Sequence, residues 1–154
     1  MREWTREKRL RTRSVGGTLA LGEMMTELLR APKLVVLRGD LGAGKTTLVK
    51  GMAAALGAPE DEVSSPTFTL VQEYRGRKVR LIHLDVYRLE TEQDIEGIGL
   101  WEMADAADAL VVVEWGEKFT SVMERADAEI AMEQGENETE RLLLVRWRDA
   151  VVSG

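Results

Sequence analysis

The chain contains no cysteine, so disulfide bonds and thiolate chemistry are excluded. Its longest purely apolar runs are about five residues, far short of the roughly 20 that a membrane-spanning helix requires. The first fourteen residues also lack the apolar segment of a secretory signal. With 44% hydrophobic and 31% charged residues, the composition is typical of a soluble globular protein. We therefore expect a cytoplasmic location and no membrane association.

Charge is unevenly distributed along the chain. Residues 1–14 hold six arginines and lysines and two glutamates, a local charge of +4; subtracting it from the formal total of −6 leaves −10 on residues 15–154. We divide the chain into a basic N-terminal leader, 1–14, and one domain, 15–154. The leader is interpreted as a solvated, flexible segment; the alternative is an arm that contacts RNA or an acidic partner. The acidic body argues against broad nucleic-acid binding, which requires clustered lysine and arginine.

One short segment carries a complete phosphate-binding pattern. The run Gly39-Asp40-Leu41-Gly42-Ala43-Gly44-Lys45-Thr46 matches G-x-x-x-x-G-K-[ST], and Thr47 follows it. Glycines let backbone N–H groups approach a polyphosphate closely, and the following helix directs its positive end at the phosphates. We expect Lys45 to contact the β- and γ-phosphates and the Thr46 hydroxyl to complete a shell around Mg²⁺. Residues 39–47 are therefore predicted to bind a nucleoside triphosphate with Mg²⁺.

The nucleotide base is inferred by elimination. Guanine-specific domains use an Asn-Lys-x-Asp motif, and the single asparagine of this chain, Asn137, is followed by Glu138. ATP is therefore favoured over GTP. The pattern does not identify the residues of the adenine pocket.

Apolar periodicity predicts alternating helices and strands around the glycine loop. Helices are expected at 17–30, from Lys45 to Gly57, and in short pieces over 91–107; strands are expected at 34–37 and 108–115, in a hairpin within 64–87, and as a terminal pair within 127–147. This order predicts an α/β fold with a single P-loop NTPase-type domain. Its central sheet is expected to be mostly parallel with an antiparallel hairpin, and helices are expected on both faces.

Three residues are candidates for completing a hydrolytic site. Asp85 and Glu114 each end an apolar strand, where a carboxylate can hold Mg²⁺ or its waters, so both are predicted to be catalytic and metal-binding. Thr67 lies in a loop after the glycine-loop helix, and its hydroxyl could reach Mg²⁺ or the γ-phosphate as switch loops do. For each of the three, a purely structural role as a capping or strand-terminal residue is the alternative.

For the single histidine and for two of the tryptophans, a structural role is favoured over a functional one. His83 alternates with Ile82 and Leu84, so a packed, hydrogen-bonded histidine is favoured over a general base. Trp101 and Trp115 are expected in the core, with anchoring of a partner as the alternative.

Assembled in chain order, these segments resemble the TsaE family, also called YjeE. The resemblance is carried by GDLGAGKTTLVKG, SSPTFTLVQEY, HLDVYRLE, GLWE and VVVEWGEKF, and it covers roughly Thr18 to Phe119. It implies an ATPase that is needed to make threonylcarbamoyladenosine in tRNA. It further implies that the ATPase works with the partners TsaD and TsaB, meets tRNA through that complex, and does not itself transfer the group.

The resemblance also assigns roles to individual residues. It places Lys45 and Thr46 at the phosphates and Mg²⁺, and Thr67 on a switch-like loop. Asp85 falls on the family's essential aspartate, and Glu114 on the carboxylate of its Glu-Trp pair. Trp115 and Arg88 fall on the tryptophan of that pair and on the arginine of a Tyr-Arg pair. Which of the two carboxylates is nearer the metal stays open.

Two other functions are compatible with a phosphate loop. A P-loop kinase for a small metabolite would use arginines as a lid over the phosphates, and the candidates are Arg75, Arg77, Arg80 and Arg88. A nucleotide-gated binding module would use ATP only to control its grip on a partner. The stretch 75–78 is predicted to be a hairpin turn, which argues against the kinase.

Overall fold

The computed structural model describes residues 3–40, 43–58 and 71–148. The strands in these residues are β1 (Arg6–Thr12), β2 (Lys33–Arg38), β3 (Val71–Arg75), β4 (Arg80–Asp85), β5 (Ala109–Glu114), β6 (Ala128–Gln134) and β7 (Arg141–Trp147). The helices are α1 (Val15–Leu28), α2 (Lys45–Leu56), α3 (Glu92–Gly97), α4 (Leu100–Asp105) and α5 (Thr120–Arg125), and a short 3₁₀ helix spans Gly116–Lys118. Nowhere in the described ranges is a helix long and apolar enough to cross a membrane.

All of these strands join one mixed sheet, in the order β1-β7-β6-β2-β5-β4-β3. The four central strands β6, β2, β5 and β4 are parallel. Strand β3 forms an antiparallel hairpin with β4, and β7 is antiparallel to both β6 and β1. One core cluster lies between the sheet and helices α1 and α2, and a second lies under α3, α4 and α5. The predicted α/β fold, with its parallel core, its hairpin and helices on both faces, is confirmed.

The N-terminal segment differs from the flexible leader expected from its charge. Arg6–Thr12 form the edge strand β1, which pairs with β7 along its whole length. Leu10 packs against the first core cluster, and the buried Thr12 hydroxyl shares a 2.7 Å hydrogen bond with that of Thr18 in α1. Charged side chains occupy most positions of this strand, as is common at sheet edges. The sequence therefore lacks the alternation of apolar and polar residues by which a strand is predicted.

Helix α5 was also absent from the sequence prediction. Its six residues are too few to show a helical apolar period, although Val122 is fully buried in the second core cluster. The short helices α3 and α4, by contrast, confirm the pieces expected over 91–107, and they are separated by Gly99 in the left-handed conformation.

Glycines allow helices α1 and α2 to pack closely. A Cβ atom on Gly51 would overlap the carbonyl oxygen of Leu19, and one on Gly22 would overlap that of Leu48. This contact holds α2, the helix that begins at Lys45, directly against α1. The position of α2 therefore depends on two glycines outside the phosphate-loop candidate.

We expect Gly51→Ala to destabilise the fold by about 1–3 kcal/mol, because the added methyl group forces the two helix backbones apart. Gly97→Ala is the matched control, since a Cβ there meets nothing within 4 Å and Gly97 lies in helix α3. That control should be neutral or slightly stabilising. Urea unfolding of both variants measures the difference, and equal stability would contradict the close packing of α1 and α2.

Candidate functional site

The phosphate-loop candidate lies between β2 and α2, and two of its glycines adopt conformations that other residues avoid. Gly39 and Gly44 have φ values of +155° and +97°. Gly44 is the N-cap of α2, and as a glycine it provides no side-chain cap for the first turn of that helix. The N-cap residue thus leaves the first N–H groups of α2 to another acceptor, as an anion site requires. Leu41 and Gly42 lie outside the described residues.

The remaining loop residues flank this helix start. Asp40 is exposed, and its carbonyl oxygen accepts a 3.0 Å hydrogen bond from the N–H of Ala43. Thr46 and Thr47 lie half-buried in the first turn of α2. Thr67 lies outside the described residues, so its predicted role stays a prediction.

Lys45 contacts one of the two predicted carboxylates directly. Its Nζ atom lies 3.0 Å from Oε1 of Glu114, and the two side chains are only 12% and 8% exposed. The other oxygen, Oε2 of Glu114, lies 2.6 Å from Nε2 of His83, which is fully buried. His83 is thus a packed, hydrogen-bonded residue, as predicted, and its partner is a candidate site residue.

Strand register brings the two candidate carboxylates to the same place. Asp85 and Glu114 are the last residues of the parallel neighbours β4 and β5, and they lie directly opposite each other. Side chains alternate along a strand, and Leu81 and Val112 point into the cluster under α1 and α2, so Asp85 and Glu114 point to that side as well. Asp85 Oδ1 accepts a 2.9 Å hydrogen bond from the N–H of Tyr87. The sheet therefore gathers both carboxylates on the side where α2 begins.

Burial and hydrogen bonding act on Glu114 in opposite directions. Burial by itself raises the pKa of this carboxyl, whereas hydrogen bonding and charge from His83 and then Lys45 lower it. The favourable contacts prevail, and the pKa of Glu114 lies below its usual value. Glu114 is therefore an ionised carboxylate at neutral pH.

This lowered pKa makes stability depend on Glu114 at acid pH. Because the pKa is lower in the folded than in the unfolded chain, the stabilisation is complete above the unfolded value of about 4.3 and is lost as pH falls through the folded value. We expect unfolding free energy, measured with urea in nucleotide-free buffer containing EDTA, to fall more between pH 5 and pH 3 in the wild type than in Glu114→Gln. Parallel pH profiles would contradict this electrostatic picture.

Trp115 was expected in the core, and this prediction is wrong. It is 39% exposed, has a φ of +67°, and follows the last residue of β5, where the chain leaves the sheet. Its ring centre lies 4.9 Å from that of Tyr87 and 6.0 Å from Nζ of Lys45. Trp101 is half-buried against the second core cluster, as expected. Arg88 is exposed beside Tyr87.

The terminal hairpin contributes two neighbours of the loop that the sequence did not indicate. A Cβ atom on Gly44 would lie 3.2 Å from Nε of Arg141 and 3.4 Å from Cε of Met132. Arg141 also donates through Nη1 to the carbonyl oxygens of Glu138 and Glu140, at 2.6 and 2.9 Å. These contacts join residues almost a hundred positions apart, so no local pattern could have revealed them.

No group of three or more histidine, aspartate or glutamate side chains is arranged to hold a metal ion within the described part of the chain. Such an arrangement is not required for Mg²⁺ in nucleotide sites, where one or two protein oxygens and the phosphates share the coordination. The Thr46 hydroxyl and the carboxylates of Asp85 and Glu114 are the described groups of suitable chemistry.

Comparisons with known proteins agree in family and fold. A family model described as "Threonylcarbamoyl adenosine biosynthesis protein TsaE" matches residues 12–143. A tRNA threonylcarbamoyladenosine biosynthesis protein TsaE from Mycobacterium leprae is 36% identical over 140 residues, covering 86% of each chain. One from Treponema pallidum is 44% identical over 110 residues, which are 71% of this chain and 79% of that protein.

Two further comparisons define the extent of the similarity. The TsaE protein of Nostoc sp. is 45% identical over 105 residues, which are 66% of this chain but only 64% of that relative's length. The crystal structure of Bacillus subtilis YdiB superposes with a TM-score of 0.69 at 27% identity, covering 92% of this chain and 86% of that one.

Proposed function

Because the chain belongs to the TsaE family of threonylcarbamoyl adenosine biosynthesis proteins, we propose that it binds and hydrolyses ATP to support threonylcarbamoyladenosine formation in tRNA. The observation that carries the proposal is the pair of Lys45 and Glu114, 3.0 Å apart at the start of α2. It joins the lysine of a phosphate loop to a strand-terminal carboxylate, which are the two kinds of group that phosphoryl chemistry on this fold needs.

ATP is held first by positive charge and backbone N–H groups. The first turn of α2 presents its N–H groups after Gly44, and Lys45 exchanges Glu114 for the phosphates when the nucleotide enters. Adenine is favoured because the chain has no Asn-Lys-x-Asp motif. The roles of Gly39 to Thr47 in this binding are part of the proposal.

The described residues fit a bound Mg²⁺. The Thr46 hydroxyl, together with Asp85 and Glu114, would hold it with the phosphates. When bound, Mg²⁺ neutralises charge on the phosphate oxygens. Glu114, kept ionised by its cationic and histidine neighbours, is suited to orient and polarise an attacking water. Asp85 and Thr67 complete the set of proposed catalytic residues.

We propose TsaD and TsaB as the partners of this chain. In this proposal ATP binding and hydrolysis reset the complex between turnovers, while the partners attach the threonylcarbamoyl group and contact the tRNA. The similarity to TsaE relatives, named for tRNA threonylcarbamoyladenosine biosynthesis, supports work within that system. We propose a cytoplasmic location as part of the same assignment.

The arrangement of arginines does not favour a small-metabolite kinase. Arg80 donates to both carboxylate oxygens of Asp108, at 2.9 and 3.0 Å, and Arg75 lies 3.9 Å from Glu73. The turn between β3 and β4 lies at the far end of α2, where the N–H of Arg77 donates to Leu56. A helix of 12 residues is about 18 Å long, so Arg75, Arg77 and Arg80 cannot close over phosphates held at Lys45. Of the four candidate lid arginines this leaves Arg88, which follows β4 beside Tyr87.

The deciding experiment compares ATP turnover by the purified chain alone and with TsaD and TsaB. We expect turnover to rise when both partners are present, and cells lacking this gene to lose threonylcarbamoyladenosine from their tRNA. Equal turnover with and without the partners, or a normal level of the modification in such cells, would contradict the proposal. Phosphorylated product in a screen of small metabolites would favour the kinase instead.

A further inference from the structure

The side chain of Glu114 is held at both of its oxygens. Oε1 faces Lys45 at 3.0 Å and Oε2 faces His83 at 2.6 Å. An ionised carboxylate can only accept hydrogen bonds, so Nε2 of His83 carries the hydrogen and donates it. The three side chains therefore form one chain of contacts from the buried sheet to the start of α2.

The two contacts differ in what nucleotide binding would do to them. If Lys45 turns to the phosphates, as the proposed function requires, its contact with Glu114 is weakened or lost. His83 lies on the central strand β4, is fully buried and stands opposite Val112 of β5, so it has no comparable freedom to leave. A site residue supported by a strand is held more accurately than one on a loop.

We propose that His83 is the positioning residue that keeps the Glu114 carboxylate oriented toward the reaction site when Lys45 is engaged by ATP. This inference rests on the proposed function for its catalytic consequence. It assigns His83 no contact with nucleotide and no proton transfer. Glutamate has three rotatable side-chain bonds, and loss of the bond to His83 would free the carboxylate in the state that carries out the reaction.

Burial also argues that His83 is more than a packing residue. An imidazole loses favourable hydration when buried, and only a good hydrogen bond compensates for that loss. His83 has one such bond, to Glu114, and its Nδ1 atom has no hydrogen-bond partner in the described ranges. Leucine would fill the same space among apolar neighbours without leaving a polar atom there.

Replacing the donor should reduce turnover and leave nucleotide binding intact. We expect His83→Leu to lower kcat for ATP hydrolysis, measured with the partners present, by about tenfold or more, as misplaced catalytic groups do. The Kd for ATP from calorimetry should stay within about threefold, because Lys45 is untouched. His83→Gln keeps an N–H donor at similar reach and should recover most of the kcat.

Leu81→Val is the matched control for buried substitutions on this strand. Leu81 lies two residues before His83, on the same face and equally buried. If His83→Leu lowers kcat no more than Leu81→Val does, the inference is overturned. If His83→Leu does not fold, His83→Asn replaces it, since the shorter amide does not reach Glu114.

If His83 acts through Glu114, replacing both residues should lower kcat no further than replacing Glu114 alone. In a Glu114→Gln background, His83→Leu should cause no additional loss of kcat. A multiplied loss in the double variant would show that His83 acts independently, and it would overturn the inference.

A measurement without nucleotide separates this inference from the proposed function. The melting temperatures of His83→Leu, Glu114→Gln and the double variant form a cycle that reads the contact itself. We expect the melting temperature of the double variant to fall by less than the sum of the falls in the two single variants. The falls caused by Leu81→Val and by Glu114→Gln should, by contrast, be additive when both changes are combined. If the wild type does not hydrolyse ATP, the proposed function is wrong, and the cycle of melting temperatures then tests the contact of His83 with Glu114 by itself. Additive losses of melting temperature for His83→Leu and Glu114→Gln would overturn the inference.

Discussion

Replacing Glu114 with glutamine is expected to lower ATP turnover by about 100-fold, while ATP affinity measured without Mg²⁺ is kept or improved. The carboxylate that would orient water is lost, a change of the size seen when an acid–base group is removed. At the same time, Lys45 loses an ion pair that competes with the phosphates at a distance of 3.0 Å. Steady-state turnover with the partners and calorimetry with ATP measure the two quantities separately.

Glu117→Gln is the control for this variant. Glu117 lies three residues further along, and its carboxylate lies 3.9 Å from Arg38 instead of a site residue. Turnover within about twofold of the wild type is expected for the control. A Glu114→Gln enzyme with wild-type turnover would remove Glu114 from the catalytic role, whereas full function in cells despite lost turnover would support a nucleotide-gated binding module.

Replacing Lys45 with alanine is expected to weaken ATP binding by about 10- to 100-fold. A charge-assisted contact to phosphate contributes about 1.5–3 kcal/mol, and no other described lysine lies in the phosphate loop. Turnover should fall at least as far, because the same lysine stabilises negative charge on the transferring phosphoryl group. Calorimetric titration with ATP and Mg²⁺ gives the affinity.

Lys50→Ala tests whether the effect belongs to the site. Lys50 is on α2, half-buried, and more than one helical turn from Lys45. Lys45→Ala also removes one of the two partners of the buried Glu114 carboxylate, and His83 is the partner that stays. The melting temperature of this variant must therefore be compared with that of the wild type before the ATP affinities are interpreted. Unchanged ATP affinity in a folded Lys45→Ala variant would contradict the phosphate role.

Much of the fold was predictable because each signal lies within a few residues. The apolar run at 34–37 and the glycines around Lys45 predicted β2 and α2, and the structure places them at Lys33–Arg38 and Lys45–Leu56. The hairpin of β3 and β4 and the pair β6–β7 were predictable from alternation and turn residues. The edge strand β1 was not, because charges at its exposed positions mask the pattern that burial would impose.

The candidate site was predictable as a set of residues but not as an arrangement. A lysine after glycines and carboxylates at strand ends follow from what phosphate and Mg²⁺ chemistry require. That Glu114 contacts Lys45 and His83, while Asp85 lies opposite it and bonds to Tyr87, follows from the register of β4 against β5. The exposure of Trp115 depends likewise on where β5 ends.

The sequence by itself determined the α/β architecture, the glycine pattern before Lys45 and the family, because backbone preferences, periodicity and motif spacing are local properties of the chain. The tertiary structure alone decided which partners each charged group has. Strand register, the close packing of α1 on α2 and the return of the terminal hairpin to Gly44 bring together residues that are far apart in sequence. Burial then fixes the electrostatics, since a carboxylate such as Glu114 keeps its charge inside the protein only where a lysine and a histidine compensate for lost water.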